Sequence, residues 1–337
     1  MPGIYANKKI LIIGGTGTIG QQLLKQILVE NPAVVRIFSR DEHKQFELQQ
    51  EYNDHDKIRF LIGDIRDYQR LVRAMEGVDF VFHAAAMKHV PSCEYNPFEA
   101  VQTNVIGTQN VIQAAIYSGV KKVQFTSTDK AISPTNTYGA TKLTAERLIS
   151  AAQFQQGERG TTFSSVRFGN VMGSRGSVIP LFKKQIIENR CITVTDPNMI
   201  RYMMTRTQAI SLMLKTNELA QGGEVFVLKM PIIKLADLID VMIEEITKKY
   251  SLSFSVDVKT IGLRPGEKMY EELMTDDEAN IALETQDLFI IPSFYMNKPR
   301  DYPGVKRASL TERPNVHIEQ TIDKETIKNW ILQENLI

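Results

Sequence analysis

A short apolar run, Lys9–Ile13, passes directly into Gly14-Gly15-Thr16-Gly17-Thr18-Ile19-Gly20 and then into an amphipathic stretch. Glycines at that spacing let the backbone turn sharply, and without side chains it can be approached closely by a charged group. The helix that follows offers unpaired N–H groups at its amino-terminus, which suits an anion. The spacing Gly14, Gly17, Gly20 departs from the usual GxGxxG of dinucleotide sites but asks the same of the backbone. A tight turn packing helix on strand would also use glycines. Their place immediately after the first strand points instead to a pyrophosphate cradle, with Gly14, Thr16, Gly17, Thr18, Ile19 and Gly20 as candidate contacts.

The chain downstream alternates short β-branched runs with amphipathic ones, the pattern of βαβ units on a parallel sheet. Strands are expected at Lys9–Ile13, Val34–Phe38, Ile58–Leu61, Phe80–His83, Lys122–Ser127 and Thr162–Arg167. Helices are expected near Ile19–Glu30, Glu42–Asn53, Gln69–Met75, Pro97–Ser118 and Tyr138–Gln155. The rhythm changes after Arg167, where Gly169, Gly173 and Gly176 interrupt the pattern. Further helices are expected at Ile179–Asn189, Thr207–Leu219 and Leu235–Tyr250, with a strand at Glu224–Leu228. The fold class is therefore α/β, a Rossmann-type doubly wound parallel sheet with a smaller C-terminal substrate-binding lobe. Residues 1–168 form the dinucleotide-binding domain with 207–229 returning to its sheet, and 169–206 with 230–337 form the lobe.

The balance of charge narrows the partners. Forty basic against 39 acidic residues leave a net charge of +1 over 337 residues. Such a chain presents no general nucleic-acid or membrane surface, so phosphate binding must be local. Cys93 and Cys191 lie far apart and form no CxxC, which argues against a disulfide framework or zinc site and suits a reducing cytoplasm. The apolar run after the opening residues breaks at Gly14-Gly15, unlike a signal peptide, and no stretch approaches the roughly 20 apolar residues of a membrane span. A cytoplasmic location is expected. The five histidines, His43, His55, His83, His89 and His317, do not cluster at ligand spacing, so no metal is expected, and His83 reads as a core histidine.

The second strand normally delivers an acidic residue to the ribose hydroxyls of NAD. Here the strand ends in Ser39-Arg40, with Asp41 only afterwards. A hydroxyl and a guanidinium suit a 2′-phosphate better than a bare ribose, and Lys44 can add a second cation. The expected cofactor is NADP, tightly bound and recycled, in preference to NAD. Asp64 and Ile65 follow the third strand, with Asp64 placed to accept from the adenine amino group. Ala84-Ala85-Ala86 after the fourth strand give a side-chain-poor edge for a cofactor ribose.

Tyr138 and Lys142 stand four apart on a helix and share a face. An ammonium near a phenol stabilises the phenolate and lowers its pKa, letting it take a proton from a sugar hydroxyl while hydride leaves the same carbon. Preceded by Ser127-Thr128-Asp129-Lys130 at a strand end, and in a chain with the glycine loop, the pair resembles the extended short-chain dehydrogenase/reductases. Asn104, in Gln102-Thr103-Asn104-Val105-Ile106-Gly107-Thr108, corresponds to that family's structural asparagine.

Longer runs narrow the resemblance. Ala86-Met87-Lys88-His89-Val90-Pro91, Ser127–Ala131, Arg167-Phe168-Gly169-Asn170-Val171 and Gly173–Pro180 are similar to the UDP-N-acetylglucosamine 4,6-dehydratases that invert C5, enzymes opening pseudaminic acid and related pathways. The resemblance implies Lys130 as the C5 base and Asp129 as the acid at C6, with Thr128 near sugar O4 and Tyr138 and Lys142 on the hydride steps. Such chemistry asks for a lysine of depressed pKa, which burial and a nearby Lys142 could supply. The resemblance further implies a UDP-N-acetylhexosamine pocket with Asn170, Val178, Arg201, Arg264 and Glu267 as candidates. Lys88 is placed near the sugar or its diphosphate. It also implies a homo-oligomer, dimer or higher, assembled through the helices near 97–118 and 138–155. Two other readings stay open: an epimerase, reductase or 5,6-ene enzyme on the same kind of substrate, and an NADP-binding regulatory protein without turnover.

Overall fold

The computed structural model describes residues 3–53, 55–295, 302, 304–308 and 321–337, so His317 lies outside the described residues. The strands are β1 (Lys9–Ile13), β2 (Val34–Ser39), β3 (Ile58–Ile62), β4 (Phe80–His83), β5 (Lys122–Thr126), β6 (Thr162–Arg167), β7 (Asn170–Val171) and β8 (Cys191–Val194). They continue with β9 (Ile200–Met204), β10 (Val225–Leu228), β11 (Ile232–Lys234), β12 (Asp257–Thr260), β13 (Leu283–Glu284), β14 (Leu288–Ile291) and β15 (Lys306–Arg307). The helices are α1 (Thr18–Val29), α2 (Glu42–Glu51), α3 (Tyr68–Met75), α4 (Val90–Tyr95), α5 (Pro97–Val101) and α6 (Gly107–Ser118). After them come α7 (Thr137–Gln155), α8 (Val178–Asn189), α9 (Arg206–Leu219), α10 (Leu235–Lys249), α11 (Asp276–Ile281) and α12 (Lys324–Gln333).

A ten-stranded sheet carries the fold, with seven neighbouring parallel strands in the order β3-β2-β1-β4-β5-β6-β10. Side chains alternate across a strand, and β1 shows the consequence. Ile10 and Ile12 enter one core with Leu23, Leu24 and Ile27 of α1, while Leu11 and Ile13 enter the other with Val111 of α6 and Ile149 of α7. Apolar residues at successive positions of the strand are thus buried on both faces, the condition of a doubly wound sheet. Chain order reverses between β1 and β4, and ligands of such sheets bind at that switch point, outside the strands' carboxyl ends.

Three further strands extend the sheet beyond β10. Antiparallel β14 pairs with β10, and β13 and β15 follow. The sequence reading assigns all of these to the smaller lobe. Leu288–Ile291 is a short, wholly buried apolar run, and periodicity alone does not tell where such a run docks. The lobe itself packs α8, α10 and α12 around a separate cluster that includes Phe182, Ile186, Leu238, Met242 and Ile331.

One expected helix is not continuous. Residues 97–118 divide into α5, a π-helical segment Gln102–Ile106, and α6. The wider turn holds buried Asn104, whose amide donates to the Met87 carbonyl at 2.9 Å and to the Thr141 hydroxyl at 3.0 Å, while its oxygen accepts from Met87 N at 2.8 Å. Such interruptions recur at functional sites. Here the segment fastens the chain after β4 to α7.

Candidate active site

The cofactor cleft is built on the glycine loop. Gly14 has φ of +81°, and a Cβ there would stand 2.8 Å from the Ala85 nitrogen. At Gly20 a Cβ would stand 2.5 Å from the Gly14 carbonyl oxygen. No other residue fits without moving β4 or the loop. Helix α1 starts at N-cap Gly17 with no capping side chain, so its first N–H groups face the cleft. These features fit a dinucleotide pyrophosphate. Gly14, Thr16, Gly17, Ser39, Arg40, Lys44, Ile65 and Ala84–Ala86 line one continuous cleft, and Thr18, Ile19 and Gly20 continue it.

The charges at its far end are partly committed. Asp41 caps α2 and binds Lys44. Asp64 pairs with Arg66 at 2.9 Å and Arg40 at 3.5 Å, and burial, which opposes this, is outweighed, leaving its carboxyl below the ordinary range. Ile65 lines the cleft and Asp64 does not. Arg175, for which the sequence reading offers no role, crosses from the segment after β7. Its backbone N–H donates to the Thr18 hydroxyl at 3.2 Å, and its guanidinium donates to the Thr16 carbonyl.

Beside the cleft, Thr128, Lys130, Tyr138 and Lys142 line one cavity together with Lys88 and Asn170. The end of β5 and a 3-10 turn at Asp129–Ala131 present the first two, and the first turns of α7 present the tyrosine and lysine. Asn136 caps α7 by accepting from Gly139 N at 2.9 Å. Gly139 lets the two elements meet, because a Cβ there would collide with the Lys130 carbonyl oxygen. Buried Lys142 donates from Nζ to the Thr126 carbonyl at 2.5 Å and lies 3.8 Å from the Phe125 ring centroid. Burial pulls its pKa down to about 7.

Two electrostatic expectations are corrected. Burial pushes the Tyr138 phenol up to about 12; hydrogen bonding to Thr128 and the charge of Lys130 pull the other way, while Lys142 is spent on Thr126 and Phe125. For Lys130, burial works against the ammonium, but Asp129 and Glu271 outweigh it and its pKa rises instead of falling. Its Nζ stands 3.0 Å from Asp129 Oδ1 and 3.7 Å from Glu271 Oε1. Asp129 is fully buried, and its Oδ1 also accepts from the Thr128 hydroxyl at 3.0 Å. Glu271, 5% exposed, escaped the sequence reading because Tyr270-Glu271-Glu272 looks like an ordinary acidic loop.

An adjoining cavity gathers Asn170, Val178, Arg201, Arg264 and Glu267, the five residues the resemblance implies for substrate. Arg201 is largely engaged within the protein, donating at 2.8 Å to each of the Ile200, Lys268 and Met269 carbonyls. It thereby holds the loop carrying Arg264 and Glu267. Lys88 sits at the cavity rim, where partial desolvation and then the Arg175 charge lower its ammonium. His83 is buried, its Nε2 3.0 Å from the Thr108 hydroxyl, and desolvation takes its pKa down to about 3. Among the described residues there is no group of three or more His, Cys, Asp or Glu that could hold a metal, and no helix long and apolar enough to cross a membrane.

A switch-point cleft, a glycine cradle and a Tyr–Lys pair beside it define an extended short-chain dehydrogenase/reductase. Residues 10–293 match the polysaccharide biosynthesis protein family, and the chain belongs to it. The solved structure of Pen from Bacillus thuringiensis superposes with a TM-score of 0.92 at 57% identity, covering 99% of this chain and 100% of that one. The UDP-N-acetylglucosamine 4,6-dehydratase (inverting) of Campylobacter jejuni is 43% identical over 89% of this chain and 87% of its own. The UDP-glucose 4-epimerase of Rickettsia conorii is 38% identical over 98% and 96%.

Proposed function

We propose that this protein is a UDP-N-acetylglucosamine 4,6-dehydratase that inverts C5, with NADP as resident cofactor. The observation that carries the reading is the Asp129–Lys130 pair, 3.0 Å apart, whose lysine lines the same pocket as Tyr138 and Lys142 while the aspartate lies buried behind it. An epimerase needs only the Tyr–Lys pair, whereas elimination needs an acid and a base as well.

The dinucleotide, when bound, supplies the hydride acceptor and later the donor. Tyr138 takes the O4 proton and passes its own phenol proton on toward Lys142, whose neutral form is available near pH 7. The C4 ketone acidifies the C5 proton. Moving one proton from Lys130 Nζ to Asp129 Oδ1 along their hydrogen bond makes a neutral amine and a carboxylic acid together. Lys130 then removes the C5 proton, and Asp129 protonates the departing C6 hydroxyl, which leaves as water. The pair returns to ammonium and carboxylate. Hydride delivered to C6 and a solvent proton added to the opposite face of C5 complete the 4-keto-6-deoxy sugar, and the proton taken from O4 returns to solvent, so that the protons balance.

The lobe of 169–206 and 230–337, apart from the sheet strands β13 to β15, supplies the substrate side of this scheme, with Asn170, Val178, Arg264 and Glu267 about the nucleotide. Ser39 and Arg40 at the cleft's far end favour a 2′-phosphate. Tyr95, Phe98, Ile106 and Tyr117 leave apolar surface exposed along α4 to α6, which supports assembly of two copies on that face.

Incubation with UDP-N-acetylglucosamine in deuterated water tests the reading. Deuterium at C5 of a 4-keto-6-deoxy product is expected. A product that keeps its C6 hydroxyl, epimerised at C4, would establish the second reading, which the Rickettsia relative supports.

A further inference from the structure

Lys130 has a second carboxylate neighbour that the elimination scheme does not use. Glu271 is buried, its Oε1 lies 3.7 Å from Lys130 Nζ, and it comes from the loop after the Arg264–Lys268 turn. One ammonium thus faces two buried carboxylates. The charged and titratable groups around Glu271 are Asp129 and Lys130 on the 3-10 turn, Arg201 on β9, and Lys268 on its own loop. Tyr202 in turn faces both Asp129 and Glu272.

We propose that Glu271 is a positioning residue that sets where the Lys130–Asp129 proton lies. This rests on the dehydratase reading of the site. With Glu271 ionised, Lys130 is held as ammonium by two negative charges, and the amine needed at C5 is suppressed. With Glu271 protonated, one counter-charge is gone. The proton of Lys130 then passes more readily to Asp129 Oδ1, making base and acid in one move. No proton enters or leaves the Asp129–Lys130 pair in that transfer, so Glu271 acts through charge alone. Desolvation favours its neutral form, in keeping with this role.

The test is the pH profile of elimination, read as solvent deuterium entering C5, for wild type and Glu271→Gln. Wild-type rate is expected to fall about tenfold per pH unit above the Glu271 titration, because the protonated fraction falls so. Glutamine is uncharged at every pH, so the variant should lose that limb while C4 oxidation, followed by the isotope effect at C4, is unchanged. A residue that merely anchors the loop would leave the profile where it was, and superposable profiles would overturn the proposal. Should Glu271→Gln fold poorly, Glu271→Asp carries the same test: its carboxylate is drawn back from Lys130, and an unmoved limb counts against the proposal. A wild-type protein giving no C5 deuterium at any pH would sink the dehydratase reading itself, a result distinct from either.

Discussion

Lys142 and Thr126 are joined by a 2.5 Å hydrogen bond from Nζ to the carbonyl oxygen, which ties the catalytic helix to the end of β5. The lysine is buried there with its pKa lowered from 10.5 to about 7. An unfolded chain keeps this proton up to about pH 10.5, whereas the folded one releases it near 7. Between those values the unfolded state binds more protons, so this group makes stability rise with pH. Denaturant unfolding of wild type and Lys142→Met should show their stability difference moving toward wild type across that window. A difference independent of pH would contradict the burial of the charge.

Tyr138 carries the hydride chemistry through its phenol, and Tyr138→Phe removes only that oxygen. Positioned general acid–base groups contribute about 10²–10⁴-fold, so kcat should fall in that range. Cofactor affinity, measured by nucleotide titration, should change little, because the glycine cradle and α1 are untouched. A variant that keeps full turnover would displace Tyr138 from its role.

The part of the fold nearest to the glycine loop was the most legible. β1, β4 and β6 have the residues that apolar pattern and turn chemistry predict, since each is a short buried run bounded by turn residues. The sheet's extension through β14 was not, because a four-residue buried run carries no mark of its partner. Tyr138, Lys142, Asp129 and Lys130 could be singled out because they are close in sequence. Glu271 could not, being brought to Lys130 across 141 positions by the loop that Arg201 holds. The sense of the Lys130 shift failed for a different reason: Asp129, its neighbour in sequence, contributes most to the rise and Glu271 adds to it, and the strength of that buried pairing shows only in three dimensions.

Gly139 is the hinge of the catalytic contact. Alanine there would drive its methyl into the Lys130 carbonyl oxygen, a backbone atom that cannot swing aside. Overpacking of this kind costs about 1–3 kcal/mol. Gly139→Ala should lower thermal stability accordingly and reduce elimination more than C4 oxidation, since the 3-10 turn moves relative to α7. Equal losses in both steps would argue for a general distortion.

Cofactor choice tests Arg40. Its side chain is 58% exposed and paired with Asp64 at 3.5 Å, so its bond to a 2′-phosphate would be a solvent-weakened one. Arg40→Ala is expected to raise the Kd for NADP about tenfold, at the low end for a charged hydrogen bond, and to leave NAD affinity nearly unchanged. Calorimetric titration of both nucleotides reads this directly. Equal weakening toward the two would assign Arg40 to the shared adenosine.

Arg167 supports the site from beneath. It is fully buried at the end of β6, with NH2 2.6 Å from Glu146 on α7 and NH1 2.8 Å from Glu278 on α11 and 2.9 Å from the Leu273 carbonyl. Both carboxylates keep the guanidinium charged despite its burial. Glu146 stands one turn beyond Lys142, so the network fixes how α7 rests on the sheet. Removing one partner of a buried pair leaves an uncompensated charge at a cost of about 3–5 kcal/mol. Glu278 still faces Arg167 after Glu146→Ala, so that variant should lose less than the full amount in denaturant unfolding, and Glu146→Gln, which can still accept from Arg167, should lose less again. The ordering matters more than the size. If glutamine proved as costly as alanine, the second carboxylate at Glu278 would be shown unable to neutralise Arg167 alone, and charge, not hydrogen bonding, would be what Glu146 contributes to the seat of the catalytic helix.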